Sequence, residues 1–255
     1  MVNERTCGVA SVGPKLPREK YPGAIPTLNG RGFMLKSLDP YSSAFVDYAG
    51  STDAPVLDMG CAYGVATLAA LAKGASVCAC DMDAGHLAIL EDCVPGEQRP
   101  RLTTQIGMLP DVDFQAHSFG AILASRVLHF LTGDDVERAM KKMAAWLKPG
   151  GQMFLIADTP YMRTWSASVP AYEKRKREGH KWPGFLPDFS KYVPDGTDPT
   201  SHPEFLNPMD PDILARLCNE VGLNVIRTGF MGLQRGGSPV QGNEHAGCEA
   251  FKAIA

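Results

Sequence analysis

A chain of 255 residues, 44% apolar and 21% charged, can bury a real core, in one large domain or two small ones, and has the balance of a globular protein. Its formal charge of -3 gives no general attraction to nucleic acid or to an anionic membrane. No stretch approaches the roughly 18 uncharged apolar residues of a spanning helix, and the first five residues, Met-Val-Asn-Glu-Arg, lack the apolar segment of a secretion signal, so a cytoplasmic protein is expected.

Residues 1–30 are rich in proline and glycine and carry no periodic apolar pattern, which predicts an irregular arm. Asp39-Pro40 predicts a helix start, with aspartate as the cap, proline at the first helical position, and Tyr41, Phe45 and Tyr48 along the helix. The arm and this helix form an N-terminal extension over 1–49. Strands and helices then alternate. Residues 56–59 are a short apolar strand, 65–73 a helix stopped by Gly74, 76–81 a second strand, and the segment around 86–93 a helix. Residues 101–106 and 119–125 predict two further strands. Val136, Met140, Met143 and Leu147, spaced by three and four, mark one face of an amphipathic helix ended by Lys148-Pro149-Gly150-Gly151. A fifth strand follows at 153–157. Regularity breaks over 160–211, which holds nine of the 20 prolines and two of the three tryptophans. It resumes with a helix at 212–221, a strand at 224–230, a Gly-rich loop over 236–247 and a last strand at 248–254.

Uninterrupted apolar strands suggest a parallel sheet covered on both faces. Strands alternating with helices then give a doubly wound α/β fold, seven-stranded and mostly parallel, in one domain over 1–255, with its ligand crevice at the carboxyl ends of the strands. The seven cysteines are scattered without metal-ligand spacing, so reduced thiols filling apolar space and no metal are expected.

The chemistry concentrates in Val56-Leu57-Asp58-Met59-Gly60-Cys61-Ala62-Tyr63-Gly64, followed by Asp81 at the end of the next strand. A strand, a tight small-residue turn, a helix start and a strand ending in a carboxylate build a pocket for an adenosine-containing cofactor. A dinucleotide turn needs Gly-x-Gly-x-x-Gly. Here the third glycine, Gly64, comes one residue early and Ala62 stands in the middle. The spacing resembles motif I of class I S-adenosylmethionine (SAM) methyltransferases, acidic-x-Gly-x-Gly-x-Gly, with Ala62 as its departure.

The resemblance extends over roughly 50–160. Asp81 stands where that family places the carboxylate for the ribose hydroxyls. Gln115-Ala116-His117-Ser118-Phe119-Gly120-Ala121-Ile122 resembles the approach to its fourth strand, with Gly120 in place of the usual aspartate. Arg126-Val127-Leu128-His129-Phe130-Leu131 resembles its Leu-His segment, and Trp146-Leu147-Lys148-Pro149-Gly150-Gly151 the turn before its fifth strand. The resemblance implies SAM as cofactor. Gly60, Cys61, Ala62 and Gly64 would form the turn under the methionine moiety, with the N-terminus of helix 65–73 toward its carboxylate. Asp58 would order the turn and reach the ammonium. Met82 would pack on the adenine, and Met108 and Leu109 would cover its other face. Ser125 and Arg126 would lie beside the sulfonium.

The methyl acceptor is less legible. Ala124-Ser125-Arg126-Val127 is not the Asn/Asp-Pro-Pro-Tyr/Phe of base-amine methylation, so nucleic acid is not the expected partner. Asp158 and His129 are the candidate catalytic groups, with a loop-capping aspartate and a packed histidine as the competing readings. The aromatics of 160–211 suit a stiff lid that determines acceptor specificity, with Tyr161, Trp165, Trp182 and, from the N-terminal helix, Tyr41 as acceptor contacts. A satellite core is the competing account. The expected acceptor is a small molecule. Against it stand a carrier-bound acyl chain, protein or RNA, supported only by the basic run Lys174-Arg175-Lys176-Arg177, and a non-catalytic SAM-binding protein. The oligomeric state stays open, a homodimer included.

Overall fold

The computed structural model describes residues 13–194, 202–232 and 241–254. Two short strands, β1 (Ala24–Pro26) and β2 (Phe33–Leu35), pair antiparallel ahead of α1 (Pro40–Ala49). The alternating region runs β3 (Val56–Met59), α2 (Val65–Ala72), β4 (Val77–Asp81), α3 (Ala84–Cys93), β5 (Leu102–Ile106), β6 (Phe119–Ser125), α4 (Gly133–Trp146) and β7 (Leu147–Asp158). The segment after β7 carries α5 (Val169–Arg177), and the chain closes with α6 (Pro211–Glu220), β8 (Leu223–Met231) and β9 (His245–Lys252).

The seven-stranded sheet has the order β5-β4-β3-β6-β7-β9-β8. Its first five strands are parallel, and β9 runs antiparallel to both β7 and β8. The chain reverses direction across the sheet between β3 and β6, so a crevice opens where β3 and β6 end.

Alternation of side chains gives the sheet two cores. Ile122, Leu155 and Ala246 pack under α4 and α6, whereas Leu123, Phe154 and Ile156 pack under α1 and α2. Burying each large apolar side chain is worth about 1.5–3 kcal/mol, so both faces contribute strongly to stability. Caps set where helices begin. Asp39 accepts from the Tyr41 and Ser42 amides at 3.0 and 2.9 Å, with Pro40 as the first helical residue, as its sequence predicts. Asp210 caps α6 through the Ile213 amide at 2.9 Å, with Pro211 next.

Three features differ from the sequence expectation. The arm is not wholly irregular: β1 and β2 form a hairpin seated on Tyr63 and Ile89. β7 begins at Leu147, which pairs with Phe119 before the register shifts at the Gly-rich turn. β9 begins three residues early, at His245. Most of the expected Gly-rich loop before it lies outside the described residues.

Candidate active site

The turn between β3 and α2 needs left-handed backbone, with Gly60 at φ 74° and Gly64 at φ 82°. Neither position has room for a side chain: a Cβ on Gly60 would stand 2.3 Å from Val127 Cγ2, and one on Gly64 2.3 Å from Leu90 Cδ1. Ala62 also adopts positive φ, 47°, which an L-residue enters at a cost of about 1–2 kcal/mol. Its amide donates to Asp81 Oδ2 at 2.8 Å, so the carboxylate at the end of β4 holds the turn in shape.

Asp81 is tied down further. Its Oδ1 accepts from the Asp83 amide at 3.0 Å and faces His86 Nδ1 at 3.0 Å. His86 Nε2 in turn accepts from the Leu28 amide at 3.0 Å, which places the proton on Nδ1 and aims it at Asp81. The hairpin, α3 and the turn therefore share one carboxylate. Tyr63 adds a second tie, donating its hydroxyl to Pro26 O at 2.8 Å. Of the four or so lone-pair sites of a carboxylate, Asp81 keeps one free, on Oδ2.

Asp58, beneath the turn, accepts from Thr67 Oγ1 at 2.7 Å inside the first turns of α2. Burial lifts its pKa to about 6, against the lowering effect of Thr67. A buried anion so raised favours a neighbouring cation. Cys61 is buried and its amide bonds to Cys80 O at 3.1 Å, so it contributes backbone shape alone. Met82 and Met108, 39% and 41% exposed, present apolar surface beyond the ends of β4 and β5. Leu109 does not join them: it is 2% exposed and packs in the core beneath α4. Gly120, the departure in the approach to β6, has a packing cause. A Cβ there would stand 2.9 Å from both Ala54 Cβ and Thr52 Oγ1, so an aspartate has no space.

The ends of β6 and β7 carry a second polar group. Arg126 takes φ 60° just past β6, and its amide donates to Ile156 O at 2.8 Å. Its Nη1 reaches Asp39 Oδ2 at 3.2 Å and Ser125 Oγ at 3.0 Å, tying the strand end to the cap of α1. His129 is 2% exposed, and its Nδ1 accepts from the Asp158 amide at 3.0 Å. Its Nε2 lies 4.0 Å from Asp158 Oδ2. Burial lowers the His129 pKa and keeps the ring neutral at pH 7, against the opposing pull of Asp158. Burial would raise the pKa of Asp158, but His129, His245 and Arg126 outweigh it and hold the carboxyl well below the usual range. His245, absent from any motif, stands opposite Asp158 in the β7–β9 register, with Nδ1 2.8 Å from Asp158 Oδ1.

The expected acceptor contacts disperse. Trp165 is buried with Met162, Leu186, Phe189 and Leu206 and donates to Thr159 O at 2.9 Å, so it builds a satellite core. Trp182 is not brought to the crevice. It packs behind α4, where a Cβ on Gly133 would stand 2.1 Å from its Nε1, and the Arg216 guanidinium lies 5.0 Å from its ring. Tyr41 packs against Gly247 with Arg227 over its ring at 4.6 Å. Tyr161 stacks edge-on against Tyr172 and Phe230 and bonds to Glu173. The cleft that does open, about 500 Å³, lies between the hairpin turn and the 160–211 segment. Asn29, Arg31, Phe130, His202 and Phe205 are among its lining residues. Sequence reasoning missed Arg31 and Phe205; nothing in their spacing marks them.

The basic run is largely consumed by its surroundings. Arg175 Nε donates to Pro183 O at 2.7 Å, Lys176 bonds to Asp210 and, at 2.7 Å, to Asp212, and Lys174 lies 3.9 Å from Glu178. Tyr172 also donates to Asp210, so α5 is pinned to the cap of α6. No helix among the described residues is long and apolar enough to cross a membrane.

Comparison with known proteins agrees with this geometry. The family model described as a methyltransferase domain matches residues 56–151. A search of curated proteins finds no match. Among solved structures, a SAM-dependent methyltransferase from Methanosarcina mazei superposes with a TM-score of 0.61 at 19% identity, covering 86% of this chain and 100% of that one. The Burkholderia thailandensis 1,6-didemethyltoxoflavin-N1-methyltransferase, solved with 1,6-didemethyltoxoflavin and S-adenosylhomocysteine, gives 0.56 at 17%, covering 84% and 77%. The glycopeptide N-methyltransferase MtfA, complexed with SAM, gives 0.55 at 17%, covering 83% and 92%. The fold is that of class I SAM-dependent methyltransferases. The part of the chain that carries its motifs, residues 56–151, is what the methyltransferase-domain model matches.

Proposed function

We propose that the protein transfers a methyl group from SAM to a small-molecule acceptor. The observation that carries the reading is the joint geometry of the turn and Asp81: a left-handed small-residue turn, shaped by a buried carboxylate that keeps a free acceptor site. Bound there, SAM would supply an electrophilic methyl on its sulfonium. Asp81 Oδ2 would accept from a ribose hydroxyl, Asp58 would face the ammonium, the first amides of α2 the carboxylate, and Met82 and Met108 the adenine. Ser125 and Arg126 would border the reacting centre, and the protein's main work would be alignment and exclusion of water.

The 160–211 segment serves in this reading as the specificity lid, with the hairpin turn across the cleft from it. His129, with Nδ1 occupied by backbone, is a positioning residue for Asp158. One observation favours a small acceptor over protein or RNA: three cations of the basic run are held by partners within the chain. Methyl-labelled SAM incubated with small-molecule, protein and RNA pools tests the acceptor class. Label in the small-molecule pool is expected, and label confined to protein or RNA would overturn the assignment.

A further inference from the structure

Buried polar atoms without a hydrogen-bond partner are rare in protein interiors. Here several gather at one place. Arg126 Nε, Asp158 Oδ1, Asn207 Oδ1, Asn243 Oδ1 and both ring nitrogens of His245 are buried without a formed hydrogen bond. These residues surround the end of β7: Asn207 donates its amide to His129 O at 2.8 Å, and Thr159, next to Asp158, donates its hydroxyl to Asn243 O. Asp158 and His245 share the sheet face of Ile156, under α1.

We propose that His245 is the base that takes the proton from the acceptor, and that Asp158 is the positioning residue that fixes its tautomer. This rests on the methyltransferase reading above. His245 Nδ1 lies 2.8 Å from Asp158 Oδ1, a close contact too poorly aligned to count as a hydrogen bond. A neutral imidazole beside an ionised carboxylate keeps its proton on the near nitrogen. Nε2 then carries a bare lone pair in a ring only 3% exposed, and an unpaired buried acceptor is unfavourable. An acceptor's O–H or N–H would satisfy it. His129 cannot take this role, because Nδ1 already accepts from the Asp158 amide and Nε2–H faces the Asp158 carboxylate at 4.0 Å.

The sheet supplies the spacing. β7 alone separates β9 from β6, and Ser125, Ile156 and Gly247 lie in register, so His245 stands two strand spacings across and two residues along from Ser125, about 12 Å away. In the step, the acceptor's proton passes to His245 Nε2 as its oxygen or nitrogen lone pair forms the bond to the methyl carbon. The carbon–sulfur bond breaks and its electron pair stays on sulfur, giving S-adenosylhomocysteine. The acceptor class is therefore a hydroxyl or an amine bearing a proton, not a thioether.

Histidine-labelled protein saturated with S-adenosylhomocysteine, observed by long-range 1H–15N correlation, tests the assignment without an acceptor. His245→Gln identifies the resonance. The expected state is Nδ1–H with Nε2 bare, shifting toward the other tautomer in Asp158→Asn. A wild-type ring protonated on Nε2, or a tautomer indifferent to Asp158→Asn, would overturn the proposal. In labelled transfer to the small-molecule pool, His245→Gln should slow the rate by about 10²–10⁴-fold with unchanged affinity for S-adenosylhomocysteine. A wild-type rate would also overturn it. Failure of the wild-type protein to bind S-adenosylhomocysteine would count instead against the methyltransferase reading.

Discussion

Asp58 holds a buried negative charge beneath the turn, and its raised pKa of about 6 has a measurable consequence. Relative to an unfolded value of 3.8, the folded state prefers the protonated form by roughly 3 kcal/mol. This contribution to stability is full below pH 3.8 and lost as pH rises through about 6. A ligand ammonium beside Asp58 needs the ionised form. SAM affinity should therefore fall about tenfold from pH 7.5 to 5, and Asp58→Asn should abolish the dependence. Calorimetry at the two pH values checks this, and an equal wild-type affinity at both would remove Asp58 from the ammonium. Ala62 gives a second residue-scale test. Ala62→Gly relieves left-handed strain at a smaller entropic cost and should stabilise by about 0.5–1 kcal/mol in urea denaturation. Gly60→Ala, which meets Val127, should destabilise by about 2–4 kcal/mol. The turn residues and Asp81 were legible in sequence because their spacing is local. His245 was not, because its partner Asp158 lies 87 positions away and only the β7–β9 register brings them together.

The N-terminal hairpin shows how an element can form where its own sequence predicts none. Strands of three residues cannot stand alone. These are held by Tyr63 and His86, which offer a hydroxyl and a ring nitrogen to the hairpin backbone. His86→Ala removes both the acceptor of Leu28 and a donor to Asp81, and should cost about 1–3 kcal/mol of stability, whereas Tyr63→Phe should cost about 1 kcal/mol. Thermal denaturation of both variants, with equal losses, would argue against a shared role for the ring. The strands and helices of 56–158 were legible because apolar runs and caps are local signals. The dispersal of Trp165 and Trp182 was not. An aromatic-rich segment reads alike whether its rings face a ligand or one another, and here Trp165 meets Phe189 and Trp182 meets Arg216.

At the scale of the molecule, one sheet brings two sites to the same edge. β3 and β4 end in the turn and Asp81. Arg126 follows the end of β6, β7 ends in Asp158, and β9 begins with His245 opposite Asp158. The hairpin turn and, from the 160–211 segment, Asp188, Ser190 and His202 to Phe205 flank the cleft. The family-model match over 56–151 covers the first site and stops short of Asp158, so the acceptor half rests on this chain's own geometry.

The central claim is that this edge binds SAM through Asp81. Isothermal calorimetry with S-adenosylhomocysteine and with NAD tests it most directly, using wild type and Asp81→Asn, a variant that keeps the shape of the side chain. The account predicts binding of S-adenosylhomocysteine and not of NAD, and an affinity at least tenfold weaker in Asp81→Asn. Binding of NAD, or an S-adenosylhomocysteine affinity untouched by the substitution, would contradict it.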